Sequence, residues 1–151
     1  RVKNRFQGEF IDAVFEGRKL LLLCPSTFMN RSGNSVSAAK EFYRLKPEDI
    51  LVVCDDLNLP TGRLRCRTKG SAGGQKGLQN IIDRLRTQEF ARLRIGIGSP
   101  PPGWEASSYV LGKFAKGERS LVEETVLKAA DAAETWYRED ALACMNRFNG
   151  S

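Results

Sequence analysis

The sequence contains no histidine, so the commonest general base and the commonest metal ligand are both missing from these 151 residues. Any imidazole chemistry would need a group from outside them. No apolar run approaches the roughly 18 residues that a membrane helix requires. The longest, Leu20-Leu21-Leu22-Leu23-Cys24, is strand-sized, and no small-residue cleavage pattern follows it. A soluble, cytoplasmic protein with no membrane association is therefore expected. Glycine (14) and proline (6) stay below collagen-like or low-complexity levels. The four cysteines, Cys24, Cys54, Cys66 and Cys144, show no CxxC spacing, and two of them sit in apolar strand-like runs, so reduced structural thiols are expected and no metal site. An initiator methionine is also absent, and Arg1 opens what reads as a folded segment, which places the natural N-terminus upstream.

What remains is ordinary globular composition, 41% hydrophobic and 28% charged, at a length suited to one domain with one core. Glu9 to Phe15 and Lys19 to Cys24 read as two strands joined at Glu16-Gly17, a hairpin. Ser32-Gly33-Asn34 offers cap chemistry for a helix with Val36, Ala39, Phe42 and Tyr43 at helical spacing, ending before Pro47. The apolar run Ile50 to Cys54 predicts a strand buried on both faces, central in its sheet. Arg63 to Thr68 alternates basic residues with Leu64 and Cys66 at strand period. A glycine-rich loop, Gly70 to Gly74, leads into a helix from about Gln75 to Arg86, and Leu93 to Ile97 reads as another buried strand. The prolines of Ser99 to Trp104 exclude regular structure and predict a surface loop. From Glu118 to Tyr137 the residues Leu121, Val122, Val126, Ala129, Ala133 and Trp136 trace one face of a long helix, with a short helix after it. Interleaved strands and helices give an α/β fold: a single domain with a mixed β-sheet flanked by helices.

Charge is unevenly spread. Thr61 to Arg94 holds nine basic residues against two acidic, net +7, which leaves −1 for the remainder of a chain whose total is +6. A basic surface around a glycine loop points to a polyanion such as nucleic acid; solvated strand and helix faces are the structural alternative. The loop is not a P-loop, because Gln75 separates Gly74 from Lys76 and Gly77 follows the lysine. Gly96-Ile97-Gly98 runs into Ser99 and prolines, so it opens no helix and is not a dinucleotide fingerprint. Glycines at a helix start can still present N–H groups to an anion, or simply make a tight turn.

Four stretches taken together carry a family resemblance: Pro25-Ser26-Thr27-Phe28-Met29-Asn30-Arg31-Ser32-Gly33, Asp55-Asp56-Leu57-Asn58-Leu59-Pro60-Thr61-Gly62, Lys69-Gly70-Ser71-Ala72-Gly73-Gly74-Gln75-Lys76-Gly77 and Arg92-Leu93-Arg94-Ile95-Gly96-Ile97-Gly98. In this order they resemble the bacterial-type peptidyl-tRNA hydrolases. The resemblance implies a three-layer sandwich over residues 1–151 that lacks roughly the first forty residues of the family domain, a strand and a helix. It implies hydrolysis of the ester between peptide and tRNA during tRNA recycling in translation, by a monomer acting on peptidyl-tRNA with no cofactor. A histidine of the absent segment would be the general base, and Asp55 would orient its ring and stabilise the imidazolium. Asp55 also ends a strand, where α/β proteins place functional groups, although a turn-initiating aspartate would look the same.

Further roles follow from the same resemblance. Asn30 matches an active-site asparagine whose amide can donate to and accept from the substrate. Phe28 and Met29 match its substrate-contacting neighbours, with core packing as their structural alternative. Where the family usually has Gly-Gly-His-Asn-Gly, this chain has Gly73-Gly74-Gln75-Lys76-Gly77. Gln75 can still hydrogen-bond, and the Lys76 ammonium can meet a phosphate or a developing oxyanion. Lys69, Arg84 and Arg86 are candidate tRNA-phosphate contacts, or solvated charges. Because both polar loop residues are changed, a catalytically inactive RNA-binding relative, of the kind that serves organellar intron splicing, is the alternative function.

Overall fold

The computed structural model describes residues 1–27, 31–99, 103 and 119–150. The chain forms two compact units, Arg1–Ile50 with Ser71–Gln88, and Leu51–Gly70 with Glu89–Ser151. The second unit is thus interrupted in sequence by residues 71–88 of the first.

The first unit starts with β1 (Lys3–Arg5), β2 (Gly8–Phe15) and β3 (Arg18–Pro25), an antiparallel sheet in that order. The expected hairpin is present: Phe15 pairs with Arg18 across Glu16 and Gly17, both at positive φ. Strand β1 had no signal in the sequence. Its turn to β2 is Phe6-Gln7, also at positive φ (55° and 58°), without the glycine or asparagine that would announce such a turn.

Helix α1 (Ser32–Tyr43) follows, stopping at Arg44 in the left-handed region. Its buried face is Gly33, Ser35 and Ala39, which corrects the expected apolar stripe; Phe42 is 55% exposed. The small side chains win because helix α2 (Lys76–Leu85) approaches closely there. A Cβ on Gly33 would overlap the Asn80 carbonyl oxygen. Phe42 instead packs edge-on to Tyr43, ring centroids 4.9 Å apart, with the Arg5 guanidinium 4.0 Å from its own centroid. Helix α2 buries Gly77, Leu78, Ile81 and Ile82, one amphipathic face.

The second unit holds β4 (Leu51–Asp56), β5 (Leu64–Arg67) and β6 (Ala91–Gly96), ordered β4-β6-β5. The β4–β6 pair is parallel and β5–β6 antiparallel, so the sheet is mixed as expected. Among the described residues the middle strand is not the one its apolarity indicated. Among the described residues β4 pairs with β6 alone, and Val53 is 52% exposed. The middle belongs to β6, whose arginines disguised it: Arg92 and Arg94 are both buried. Strand β5 alternates as read, with Leu64 and Cys66 buried and Arg65 and Arg67 exposed.

Helices α3 (Arg119–Arg138) and α4 (Ala141–Phe148) complete this unit. Leu64, Cys66, Leu93, Ala129, Ala132 and Cys144 form its core. The buried stripe of α3 is Thr125, Ala129, Ala132 and Thr135, rotated from the expected one, and Leu121 and Val126 face outward. Threonine can be buried here because Thr125 Oγ1 donates to the Leu121 carbonyl and Thr135 Oγ1 to that of Asp131. At the chain end, Asn149 Nδ2 donates to the Cys66 carbonyl (2.8 Å) while its Oδ1 accepts from the Cys66 N–H (2.7 Å). All four cysteines are free thiols, but Cys24 is exposed rather than part of a core. The expected loop from Ser99 to Trp104 lies outside the described residues apart from Ser99 and Gly103. Among the described residues no helix is long and apolar enough to cross a membrane.

Candidate active site

Asp55 and Asp56 close β4, and strand alternation sends them to opposite faces. Asp55 is half-buried and lies opposite Ile95, on the face that Leu51 and Ile95 share with the core. Asp56 lies opposite Gly96, on the face of the arginines. Its Oδ2 is 3.6 Å from Arg94, with both groups buried, and its Oδ1 accepts from the Asn58 N–H. The loop after β4 is then fastened to the end of β6: Gly96 N–H donates to the Arg63 carbonyl, Ile97 to Asp56 and Gly98 to Leu59. Glycine is needed at 96 because the Pro60 carbonyl oxygen occupies the place of a Cβ. Asp56 is thus held by Arg94 and Asn58, and Asp55 lies on the opposite face at the strand end.

Cys54 precedes this pair. Burial chiefly, with Asp55 and Asp56 adding to it against the opposing pull of Arg94, pushes its thiol up to about 11. It stays protonated at neutral pH and is no nucleophile. Deeper in the same unit, the Cys66 thiol is raised by its hydrogen bond with Cys144 and by burial. Arg92 is lowered by burial and by Arg94, which still leaves a guanidinium charged.

The glycine loop lies in the first unit from Ser71 onward. Gly73 and Gly74 are exposed and at positive φ. Gln75 is the N-cap of α2, its Oε1 accepting from the Leu78 N–H at 2.6 Å. One end of its amide is thus engaged by the helix. Lys76 is the first helical residue and exposed. Lys69 is exposed in the second unit. Arg86 is exposed as the left-handed C-cap of α2, and Arg84 is exposed at its head while its Cγ lies against Gly33. Of the nine basic residues from Thr61 to Arg94, Arg92 and Arg94 are buried and held internally, so that segment offers less free charge than its count indicated.

Phe28, Met29 and Asn30 lie outside the described residues. Both flanks of that segment are tethered. Ser26 donates to the Gln7 carbonyl through its N–H (2.9 Å) and its hydroxyl (3.0 Å). Asn80 Oδ1 accepts from the Gly33 N–H at 2.7 Å, capping α1 where Arg31 supplies no side-chain cap. Thr27 Oγ1 is buried with no partner among the described residues. Sequence reasoning missed Asn80 and Arg92, because each acts through a contact distant in sequence. Among the described residues no three His, Cys, Asp or Glu side chains are grouped so as to hold a metal ion.

Comparison with known proteins completes the description. The family profile described as peptidyl-tRNA hydrolase matches residues 1–151, the whole chain. The chain belongs to the peptidyl-tRNA hydrolase family. A peptidyl-tRNA hydrolase of Rhodopirellula baltica is 52% identical over 148 residues, covering 98% of this chain and 78% of that protein. The peptidyl-tRNA hydrolase of Brevibacillus brevis is 48% identical over 147 residues, with 97% and 78% covered. Among solved structures, the peptidyl-tRNA hydrolase of Acinetobacter baumannii superposes with a TM-score of 0.91 at 36% identity, covering 99% of this chain and 77% of that one. The mixed α/β architecture is thus that of peptidyl-tRNA hydrolases.

Proposed function

We propose that this chain hydrolyses the ester bond joining a peptide to the 3′ end of tRNA, with peptidyl-tRNA as its substrate. The carrying observation is the family match along the entire chain, with relatives at up to 52% identity that bear this activity in their names. Nothing in the comparisons favours the inactive RNA-binding alternative.

In the proposed reaction a water molecule attacks the ester carbonyl and the 3′ ribose oxygen leaves. Asp55 accepts a hydrogen bond from an imidazole, sets its tautomer and stabilises the imidazolium formed when the ring takes the proton of water. Its place at a strand end, in the motif position that carries the family resemblance, supports this role. The imidazole belongs to residues outside these 151, in keeping with relatives of which the chain covers 78%. Asn30 binds the substrate backbone, Phe28 and Met29 contact its apolar parts, and Gly73, Gly74, Gln75 and Lys76 bind it as well. Lys69, Arg84 and Arg86, exposed as this requires, meet phosphates. The reaction calls on no cofactor, and the protein works as a cytoplasmic monomer.

The test is release of the blocked amino acid from an N-acylated aminoacyl-tRNA by the full-length protein, beside Asp55→Ala. Turnover that falls by orders of magnitude in the variant, with tRNA binding retained, is expected. Undiminished turnover in Asp55→Ala would sink the assigned role, and salt-sensitive tRNA binding without any turnover in the parent would sink the hydrolase.

A further inference from the structure

Arg92 is the largest fully buried side chain of the described residues and carries a charge that the proposed chemistry does not use. Burying a guanidinium is costly unless its donors are satisfied, so its partners indicate what the charge is there to hold. Its Nη1 donates to the Gly70 carbonyl at 2.6 Å. Its Nη2 and Nε both reach the Phe90 carbonyl, at 3.2 and 3.4 Å. The guanidinium also lies 4.5 Å from the centroid of the Phe90 ring. The second unit is interrupted after Gly70 and resumes at Glu89, and the interrupting segment, 71–88, contains the glycine loop and α2. One planar cation therefore joins the point where that segment departs to the point where it returns.

We propose that Arg92 is a positioning residue for the glycine loop, holding Gly70, where the 71–88 excursion departs, to Phe90, where it returns, and so restraining the backbone that leads into Gly73 to Lys76. The proposal rests on the hydrolase reading, in which that loop binds the substrate. Arginine suits the task because its fork presents donors in one plane to two separate carbonyls; a lysine ammonium is a point charge on a flexible stem and cannot span both in the same way. Gly70 sits at φ 137°, with open space where a Cβ would stand, so the backbone there lacks side-chain packing to fix it. The hydrogen bond from Arg92 supplies that restraint. A loop fixed in this way binds substrate without first being ordered, which is an effect on KM more than on the chemical step.

The experiment uses the full-length protein with Arg92→Lys, and Phe90→Leu as a second variant that removes the stacked ring and keeps the guanidinium. Amide hydrogen exchange is read alongside steady-state hydrolysis of an N-acylated aminoacyl-tRNA. In Arg92→Lys the amides of 70–77 are expected to exchange about tenfold faster, with those of β4 and β5 within about twofold of the parent. KM should rise by about tenfold while kcat changes less than about threefold, and Phe90→Leu should show the same pattern more weakly. Unchanged exchange at 70–77, or exchange quickened equally throughout both units, would overturn the proposal. If Arg92→Lys does not fold, the exchange pattern of Phe90→Leu decides alone. A parent without hydrolytic activity would defeat the functional reading and leave the exchange result to judge Arg92 on its own.

Discussion

The Asp56 carboxylate lies 3.6 Å from the Arg94 guanidinium, both buried, on the face of β4 opposite to that of Asp55. Two adjacent residues of one type thereby lie on opposite faces of the strand. Asp56 closes the loop after the strand through Asn58 and balances a charge on the central strand. Asp55 takes no part in that ion pair.

The first prediction separates them by what each loses. Asp56→Ala removes the carboxylate from a buried pair and should cost about 3 kcal/mol of stability. Asp55→Ala, at a half-buried position, should cost no more than about 1 kcal/mol while abolishing turnover. Urea unfolding of both variants, with hydrolysis measured on the same samples, checks the contrast; a larger stability loss in Asp55→Ala would contradict it.

Asn80 spans from α2 to the first turn of α1, immediately after the candidate residues 28–30. Removing the cap with Asn80→Ala should destabilise by about 1–2 kcal/mol and raise KM in the hydrolysis assay. Gly33→Ala acts at the same contact from the other side by forcing a methyl group onto the Asn80 carbonyl. Combining the two should cost less than the sum of the singles, because they disturb one interface. A double-mutant cycle read by thermal unfolding measures this directly.

If Lys69 and Lys76 meet phosphates, each contributes released counterions to tRNA binding. Changing either to alanine should weaken binding alike for every tRNA tested and lower the slope of log K against log salt by about one. Filter binding across a salt series supplies the slopes. Arg94→Gln, by contrast, should act mainly on stability, since Arg94 is buried against Asp56.

Cys54 gives a signed pH dependence. Its thiol is raised in the folded protein to about 11 from an ordinary value of 9.0, so above 9.0 the folded state holds a proton that the unfolded state has lost. The contribution is complete below pH 9 and disappears as pH rises toward 11. Denaturation midpoints at pH 8 and pH 10.5 should therefore fall more steeply in the parent than in Cys54→Ala. Parallel falls would refute the assignment.

Elements carried by local pattern were legible: the β2–β3 hairpin from its alternation and Glu16-Gly17, β5 from Leu64 and Cys66, and α2 from its glycines and amphipathic face. Positions set by partners distant in sequence were not. The buried arginines hid the middle rank that β6 holds among the described strands. Helices α1 and α3 bury small or threonine-bearing faces because close approach and hydrogen bonding to the preceding turn outweigh side-chain apolarity there. At the site, the four quoted stretches reached the family, as the comparisons show, and singled out Asp55 as a candidate. They could not show that Gln75 caps α2, that Asn80 caps α1, or that Arg92 grips Gly70, since spacing alone does not encode those geometries.

The amide of Asn149 offers Cys66 a donor and an acceptor side by side, as a neighbouring strand would. Among the described residues β5 is an outer strand of its sheet, and bare outer strands recruit other chains. A single side chain near the end of α4 thus occupies the docking point that an intruding strand would use, with exposed Arg65 and Arg67 adding charge on either side. At Cys66 the edge of β5 is accordingly occupied from within the same unit, by one amide that follows α4.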